Sequence, residues 1–164
     1  MIAYKFLGPG RIGAFSGFAW PEREWVEAEP DACRTGIHAC ERADLPYWLN
    51  AQLWQIELEG ARRAKRKLVA PRGRLHGQVE GWNEESRRHF ADACVDRLRS
   101  LAESSPEAAG YVPDAERRSG LGDTAMVAFI AARAAEIAGG PDAYEAERRR
   151  QADWLVERLD LAQA

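Results

Sequence analysis

The spacing of apolar residues changes once along this chain, at Trp82. Before that point the clearest pattern is a two-residue alternation over residues 53–59, which is typical of a half-buried strand. After it, apolar residues recur every three or four positions, as they do on one face of a helix. The sequence therefore predicts an α+β fold, with a strand-rich half over residues 1–81 and a helical half over residues 82–164.

Short alternating or β-branched stretches in the first half predict an antiparallel or mixed sheet. These stretches are residues 2–6, 24–28, 36–40, 53–59, 67–70 and 74–79. Residues 44–49 predict a short helix with Asp44 as its N-cap. The glycine-rich residues 8–17 predict a loop, because glycine adopts positive φ at little cost.

Start signals in the second half predict a layer of three helices packed against the sheet. Asn83 is the N-cap of the first helix and Asp123 of the second, while Pro141 opens the third. About 80 residues on each side of Trp82 would leave each half with a thin core of its own. We therefore expect a single domain over residues 1–164.

Charge and hydropathy argue against two classes of partner. Residues 1–81 carry 12 Lys and Arg against 10 Asp and Glu, while residues 82–164 carry 11 against 16, so duplex DNA is not an expected partner. The longest nearly uncharged stretch, residues 124–132, is about half as long as a membrane span requires. No secretion signal opens the sequence, and three cysteines are an odd number, so we expect a cytoplasmic protein with reduced thiols.

The densest cluster of reactive residue types is CRTGIHAC, residues 33–40. On a strand, His38 and Cys40 project to one face while Ile37 and Ala39 project to the other. His38 is then placed to lower the pKa of the Cys40 thiol or to act as a base beside it, which makes both residues candidate catalytic groups. The alternative is that the cysteines are small buried apolar residues and that His38 forms a hydrogen bond inside the fold.

The same segment also suggests a metal site. Cys33, His38 and Cys40 are a candidate zinc-binding set, with a fourth ligand from His76, Cys94 or a carboxylate. Their spacing is not that of a common zinc knuckle, and no second Cys-x-x-Cys half-site accompanies them. No other cofactor is predicted.

Two carboxylates form a second candidate group. Glu57 and Glu59 are two residues apart on a predicted strand and therefore share a face. Paired carboxylates raise the pKa of one member, which suits general acid–base catalysis. The plain alternative is that they form the wet face of the sheet. If the strands pair in the matching register, this pair lies beside His38 and Cys40.

The first half also contains a basic run and four tryptophans. The run comprises Arg62, Arg63, Lys65, Arg66, Lys67, Arg72 and Arg74. No aromatic residue interleaves it for base stacking, so a solvated hairpin is favoured over an anion or RNA contact within Arg62–Arg74. The tryptophans are core residues or the wall of a site for a flat ligand. They are Trp20, Trp25, Trp48 and Trp54.

At CRTGIHACERADL, LWQIELEG and KLVAPRGRL the chain resembles an uncharacterised family of small bacterial and phage proteins. That family carries a Cys-x-x-Gly-aromatic-His-x-Cys-Glu stretch, a Glu-rich strand ending in Gly, and a Lys-aliphatic-Val-Ala strand. The similarity covers residues 2–80, with Ile37 in place of the aromatic residue. The resemblance implies a shared fold and brings no established activity. The shared site that it implies consists of Cys33, Gly36, His38 and Cys40.

These clusters favour a small-molecule-acting enzyme or ligand binder with its site on the His38/Cys40 face of the strand-rich half. One alternative is a non-enzymatic protein-interaction module, and another is a zinc-binding domain. A third follows from a looser resemblance to small ADP-ribosyltransferase-like proteins, in which Glu57-Leu58-Glu59 corresponds to their Glu-x-Glu pair. An enzyme would gather His38, Cys40 and Glu57 around one pocket. The sequence leaves the ligand, the reaction and the oligomeric state open.

Overall fold

The computed structural model describes residues 1–29 and 36–161 and has the predicted α+β composition. The chain divides into two compact units. Unit 1 contains Met1–Trp82 together with the residues from Leu159 onward, and unit 2 contains Asn83–Arg158. The division falls where the apolar period changes. The expectation of a single domain, with the helices packed on the sheet, stays a prediction.

Unit 1 contains two antiparallel sheets. Its described strands are β1 Ile2–Leu7, β2 Trp25–Glu27, β3 Ile37–Ala39, β4 Gln52–Glu59, β5 Arg62–Ala64, β6 Lys67–Ala70 and β7 Arg72–Gln78. The first sheet has the order β1-β4-β7-β2 and the second has the order β3-β6-β5. Every strand pair in the two sheets is antiparallel, which decides between the two predicted sheet types.

One apolar core serves both sheets. Trp54, Ile56 and Leu58 of β4 belong to the same buried cluster as Ile37 and Ala39 of β3. The alternation predicted for β4 is thereby confirmed, with a bulge between residues 55 and 56 where its register against β7 shifts. The cluster buries one face of each sheet against the other, and this burial is the main source of stability in unit 1.

The six predicted strands are confirmed with small shifts at their ends, whereas β5 was not expected. The sequence does not indicate β5, because the charged residues Arg62 and Arg63 break the apolar alternation that identifies a strand. β5 lies at the edge of its sheet, where polar side chains are ordinary. It turns into β6 through Lys65 and Arg66, and Lys65 has a φ of +57°.

The predicted helix at residues 44–49 is a 3-10 helix at Arg42–Tyr47. Asp44 is not its N-cap, because Glu41 holds that position and no side chain caps the end. The carboxylate of Asp44 instead accepts a 2.8 Å hydrogen bond from Arg63. A buried carboxylate is stabilised more by a guanidinium than by a backbone amide at a short helix.

Unit 2 consists of helices in its described part: α1 Glu84–Ala102, α2 Pro106–Ala109, α3 Val112–Gly120, α4 Thr124–Gly139 and α5 Pro141–Arg158. The predicted helix starts are confirmed, and the Asn83 and Asp123 side chains accept hydrogen bonds from the amides of Ser86 and Met126. The sequence analysis missed α2 and α3, because each is too short for an apolar period to show. No helix in the described part of the chain combines the length and the apolar character of a bilayer-spanning segment.

Two glycines on β7 provide a test of the shared core. A Cβ atom at Gly73 would lie 3.0 Å from Ile37 and 3.1 Å from Leu58, whereas a Cβ atom at Gly77 would meet nothing within 4 Å. We expect Gly73→Ala to lower the free energy of unfolding by about 1–3 kcal/mol, because it overpacks the core. Gly77→Ala should leave it within about 0.5 kcal/mol or raise it slightly.

Urea denaturation followed by tryptophan fluorescence measures this difference, since five of the six tryptophans lie in unit 1. Equal stability of the two variants would contradict the packing of β3 and β4 against β7.

Candidate functional site

A cavity of about 690 Å³ in unit 1 lies beside the edges of β1 and β3. Its third wall is a short hairpin, residues 12–19, in which the Gly13 amide donates to the carbonyl of Phe18 at 2.9 Å. Gly17 turns the hairpin with a φ of +65°, a backbone conformation that suits glycine. The glycine-rich stretch predicted as a loop is therefore an ordered wall of this cavity.

The cavity exists because β1 and β3 touch at one place and then separate. The Tyr4 amide donates to the Cys40 carbonyl at 2.9 Å, and the Cys40 amide donates to the Tyr4 carbonyl at 2.8 Å. One residue further along β1, a side chain makes the next hydrogen bond between the two segments. The Nζ atom of Lys5 donates to the backbone carbonyl of His38 at 2.6 Å.

Lys5 is a charged residue in the lining of the cavity. It lies on the same face of β1 as Ala3 and Leu7, both of which are buried in the core. Its Nζ atom is 4.6 Å from the centroid of the Trp20 ring, a cation–π distance. Desolvation lowers the pKa of Lys5 to about 8. A substantial fraction of this amine is therefore neutral near physiological pH.

Aromatic side chains make the rest of the lining largely apolar. Phe18 packs edge-to-face on Trp20, with the ring centroids 5.6 Å apart. Trp48 also lines the cavity, and its indole nitrogen donates to the Arg66 carbonyl at 2.8 Å. Of the four tryptophans considered in the sequence, Trp20 and Trp48 therefore belong to the cavity wall, which suits a flat ligand.

His38 and Cys40 both line this cavity, and so do Ile37 and Ala39 from the other face of β3, so the predicted site on the His38/Cys40 face stays a prediction. The hypothesis that His38 lowers the pKa of the Cys40 thiol is nevertheless wrong in direction. Burial raises the pKa of this thiol strongly, and the charge of Asp44 raises it further, while Lys5 acts in the opposite sense. Cys40 is 2% exposed. It is a neutral thiol at physiological pH, which does not suit a nucleophile.

Glu57 and Glu59 are outside the cavity and are paired with arginines. Their cross-strand neighbours on β7 are Arg74 and Arg72, which donate to them at 2.6 Å and 2.8 Å. The hydrogen bond from Arg74 lowers the pKa of Glu57, where the sequence analysis expected a carboxylate pair with one pKa raised. The structure therefore does not unite this pair with His38 and Cys40.

The zinc-binding alternative depends on Cys33, which lies outside the described residues. Within the described part of the chain, no three His, Cys, Asp or Glu side chains come together as a metal-binding group. His76 is exposed on β7, and Cys94 belongs to unit 2. The proposed zinc set of Cys33, His38 and Cys40 stays a prediction.

Acidic and aromatic partners neutralise or cover much of the basic run at Arg62–Arg74. Arg63 forms ion pairs with Glu41 and Asp44. Arg72 and Arg74 bind Glu59 and Glu57, and both guanidinium groups also lie over the ring of Trp25, at 4.2 Å and 4.8 Å. These contacts agree with the solvated hairpin that the sequence favours over an anion or RNA site.

The sequence analysis missed Lys5, although one signal pointed to it. The segment IAYKFL has apolar residues at nearly every position, as strands that are buried on both faces do. Tyr4 and Phe6 are buried on one face, and Ala3 and Leu7, which share the other face with Lys5, are 2% and 0% exposed, so Lys5 is not on a wet side of the strand. A lysine inside such a segment is a site candidate.

Unit 2 also contains a buried polar cluster that the sequence did not indicate. Arg97 donates to Glu147 at 2.8 Å, and Gln151 donates to Glu147 at 3.0 Å. Burial raises the pKa of the adjacent Cys94 thiol to about 12. These groups bind one another between α1 and α5, and we interpret the cluster as structural.

The burial of Cys40 predicts slow alkylation. At pH 8, iodoacetamide should modify Cys40 on the order of 100-fold more slowly in the native protein than in urea, because burial reduces both the thiolate fraction and access. Peptide mapping by mass spectrometry reports each cysteine separately. If Cys40 were modified as fast in the native protein as in the unfolded chain, that result would support the hypothesis of an activated His38–Cys40 pair.

The lowered pKa of Lys5 predicts a pH-dependent stability. Well below pH 8 the amine is charged in both folded and unfolded chains, so folding bears its full desolvation cost. Between pH 8 and 10.5 the unfolded chain binds more protons, so the free energy of unfolding should rise with pH, by up to about 3 kcal/mol. Denaturation of the wild type, Lys5→Met and the exposed control Lys65→Met isolates this contribution. A pH dependence in Lys5→Met that parallels the wild type would contradict it.

In comparisons with models of protein families, with curated proteins and with solved structures, nothing matched this chain. The resemblances to the small bacterial and phage family and to ADP-ribosyltransferase-like proteins therefore stay predictions.

Proposed function

We propose that unit 1 binds a small molecule in the cavity between β1, β3 and the 12–19 hairpin. The observation that carries this proposal is the combination of a largely apolar, aromatic cavity of about 690 Å³ with the desolvated amine of Lys5. Ligand sites have volumes of about 300–1,000 Å³, an apolar lining and few well-placed polar groups. The cavity meets each of these conditions.

The lining defines the chemistry of the ligand. Phe18 and Trp20 favour a flat apolar body, which stacks on an aromatic wall. Lys5 favours a negatively charged group or a carbonyl oxygen at one end, since its ammonium form attracts an anion and either protonation state donates a hydrogen bond. His38 adds an imidazole to the same lining. We therefore expect a planar carboxylate, sulfonate or carbonyl compound.

The proposal keeps the site on the His38/Cys40 face and changes the roles of its residues. Lys5 recognises the polar end of the ligand, and Cys40 packs beneath the site as a neutral thiol. Cys40 and Cys94 are buried free cysteines, which is compatible with the reducing cytoplasm that we propose as the location of the protein. Binding by itself requires no contribution from Glu57 or Glu59.

A flat fluorescent anion tests the site. We expect 1-anilinonaphthalene-8-sulfonate to bind, with a dissociation constant raised roughly tenfold by Phe18→Ala, since loss of an aromatic contact costs about 1.4 kcal/mol. Lys5→Met should weaken binding and reduce its salt dependence. Phe129→Ala is the matched control, because Phe18 and Phe129 are both 44% exposed and Phe129 lies on α4.

A dissociation constant that responds to Phe129→Ala and not to Phe18→Ala would place the dye elsewhere and contradict the proposal. The non-enzymatic interaction module would then be favoured, and one observation supports it. Phe15 is 91% exposed at the tip of the 12–19 hairpin, beside Ile12 at 38% and Phe18 at 44%. Exposed apolar groups of this kind are common in protein interfaces.

A further inference from the structure

We propose that Lys5 captures a flat aromatic aldehyde in this cavity by forming an imine. The inference rests on the proposed function, because it names one class of ligand for the same site and adds a covalent bond. Three properties of the site carry it: the position of the Lys5 amine, the scarcity of charge around it, and the aromatic wall beside it.

The position of Nζ leaves room for a reaction. One N–H of Lys5 donates to the His38 carbonyl at 2.6 Å, and the amine lies 4.6 Å from the centre of the Trp20 ring. A neutral amine has two N–H groups and one lone pair. The hydrogen bond to His38 uses one N–H and therefore leaves the lone pair for a carbonyl carbon. The bond also fixes the direction of the nucleophile before a ligand arrives.

Desolvation lowers the pKa of Lys5 to about 8, and little negative charge among the described residues opposes this shift. No carboxylate of the described residues forms an ion pair with Lys5, and the Glu27 carboxylate at the cavity is within 3.4 Å of Arg72. Cys40 would hold a proton on Lys5 only as a thiolate, but burial raises the pKa of that thiol. Among the described residues, the other ionisable groups of the lining are His38, Tyr4 and Lys67, none of which supplies a negative charge near neutral pH.

The reaction is balanced without a further reactant. The Lys5 lone pair attacks the aldehyde carbon, and the carbonyl oxygen takes up a proton to give a carbinolamine. That oxygen then leaves as water with the second proton, so that R–CHO and H₂N–Lys5 become R–CH=N–Lys5 and H₂O. When the imine nitrogen takes up a proton from solvent it carries one N–H, which can donate to the His38 carbonyl.

The aromatic wall of the cavity determines which class of aldehyde is favoured. Phe18 and Trp20 form an edge-to-face pair next to Nζ, so an aromatic ring that stacks there brings a carbonyl substituent towards the amine. A small aliphatic aldehyde gains less from this wall. The ligand class is therefore a planar aromatic aldehyde, and its carbonyl group serves as the polar end proposed above.

The lysines of the chain provide an internal comparison. The sequence contains three of them, Lys5, Lys65 and Lys67. With a pKa of about 8 against the ordinary value near 10.4, Lys5 has roughly 100-fold more neutral amine at pH 7 than an unperturbed lysine. The lower basicity of the amine also reduces its nucleophilicity, so we expect a net advantage of about tenfold.

The experiment is reductive trapping of the full chain with 2-naphthaldehyde and cyanoborohydride at pH 7, followed by peptide mapping. We expect Lys5 to be modified about tenfold faster than Lys65. Phe18→Ala should slow modification of Lys5 and leave Lys65 unchanged, while Phe129→Ala should change neither. The α-amine of Met1 also reacts with aldehydes, and fragment spectra separate it from Lys5. Lys5→Arg should remove the fast site.

Modification of Lys5 no faster than Lys65 would overturn the inference, as would fast modification of Lys5 that ignores Phe18→Ala. The binding of 1-anilinonaphthalene-8-sulfonate separates this failure from failure of the proposed function. If the sulfonate binds at Phe18 and the aldehyde gives no imine, the site is non-covalent only. If the sulfonate fails to bind at Phe18, the cavity is not the ligand site and both proposals fall.

Discussion

The pair of backbone hydrogen bonds between Tyr4 and Cys40 connects the two sheets of unit 1. Each sheet has an edge strand at this place, and an unpaired edge is a liability for a protein. One bridge joins the edges without closing them, so Ile37 and Ala39 can turn into the core that β4 also lines. Where the strands separate, backbone pairing ends and the Lys5 side chain donates the next hydrogen bond, to the His38 carbonyl. The cavity and the chemistry of Lys5 both follow from this incomplete closure.

The register between paired strands determines which charged side chains lie opposite each other in unit 1. β4 pairs with β7 so that Glu57 lies opposite Arg74 and Glu59 lies opposite Arg72. Cross-strand pairs of opposite charge stabilise a sheet, and the pair with Arg74 also lowers the pKa of Glu57. The side of β4 that bears these carboxylates was apparent from the alternation alone. Their partners were not, because a single sequence does not reveal the register between two strands that lie thirteen or more residues apart.

The sequence could predict the elements better than the environments of their residues. The period change at Trp82 and the caps at Asn83 and Asp123 are local signals, and the structure confirms the strands and helix starts that they predicted. The pKa of Cys40 depends instead on burial and on Asp44, a neighbour contributed by the following 3-10 helix. β5 was missed for the opposite reason, since its strand character comes from pairing with β6 and its own side chains are polar.

Lys5 and Glu147 differ in how the charge of each side chain is compensated inside the fold. Glu147 is 4% exposed, but Arg97 and Gln151 both donate to its carboxylate, so its charge is compensated where it lies. Lys5 has a neutral carbonyl oxygen and an aromatic ring as close partners, and no carboxylate of the described residues forms an ion pair with it. Desolvation lowers the pKa of the amine, whereas an ion pair with a carboxylate would hold the proton on it. Proton release exposes a lone pair, and the cavity gives that lone pair access to a ligand.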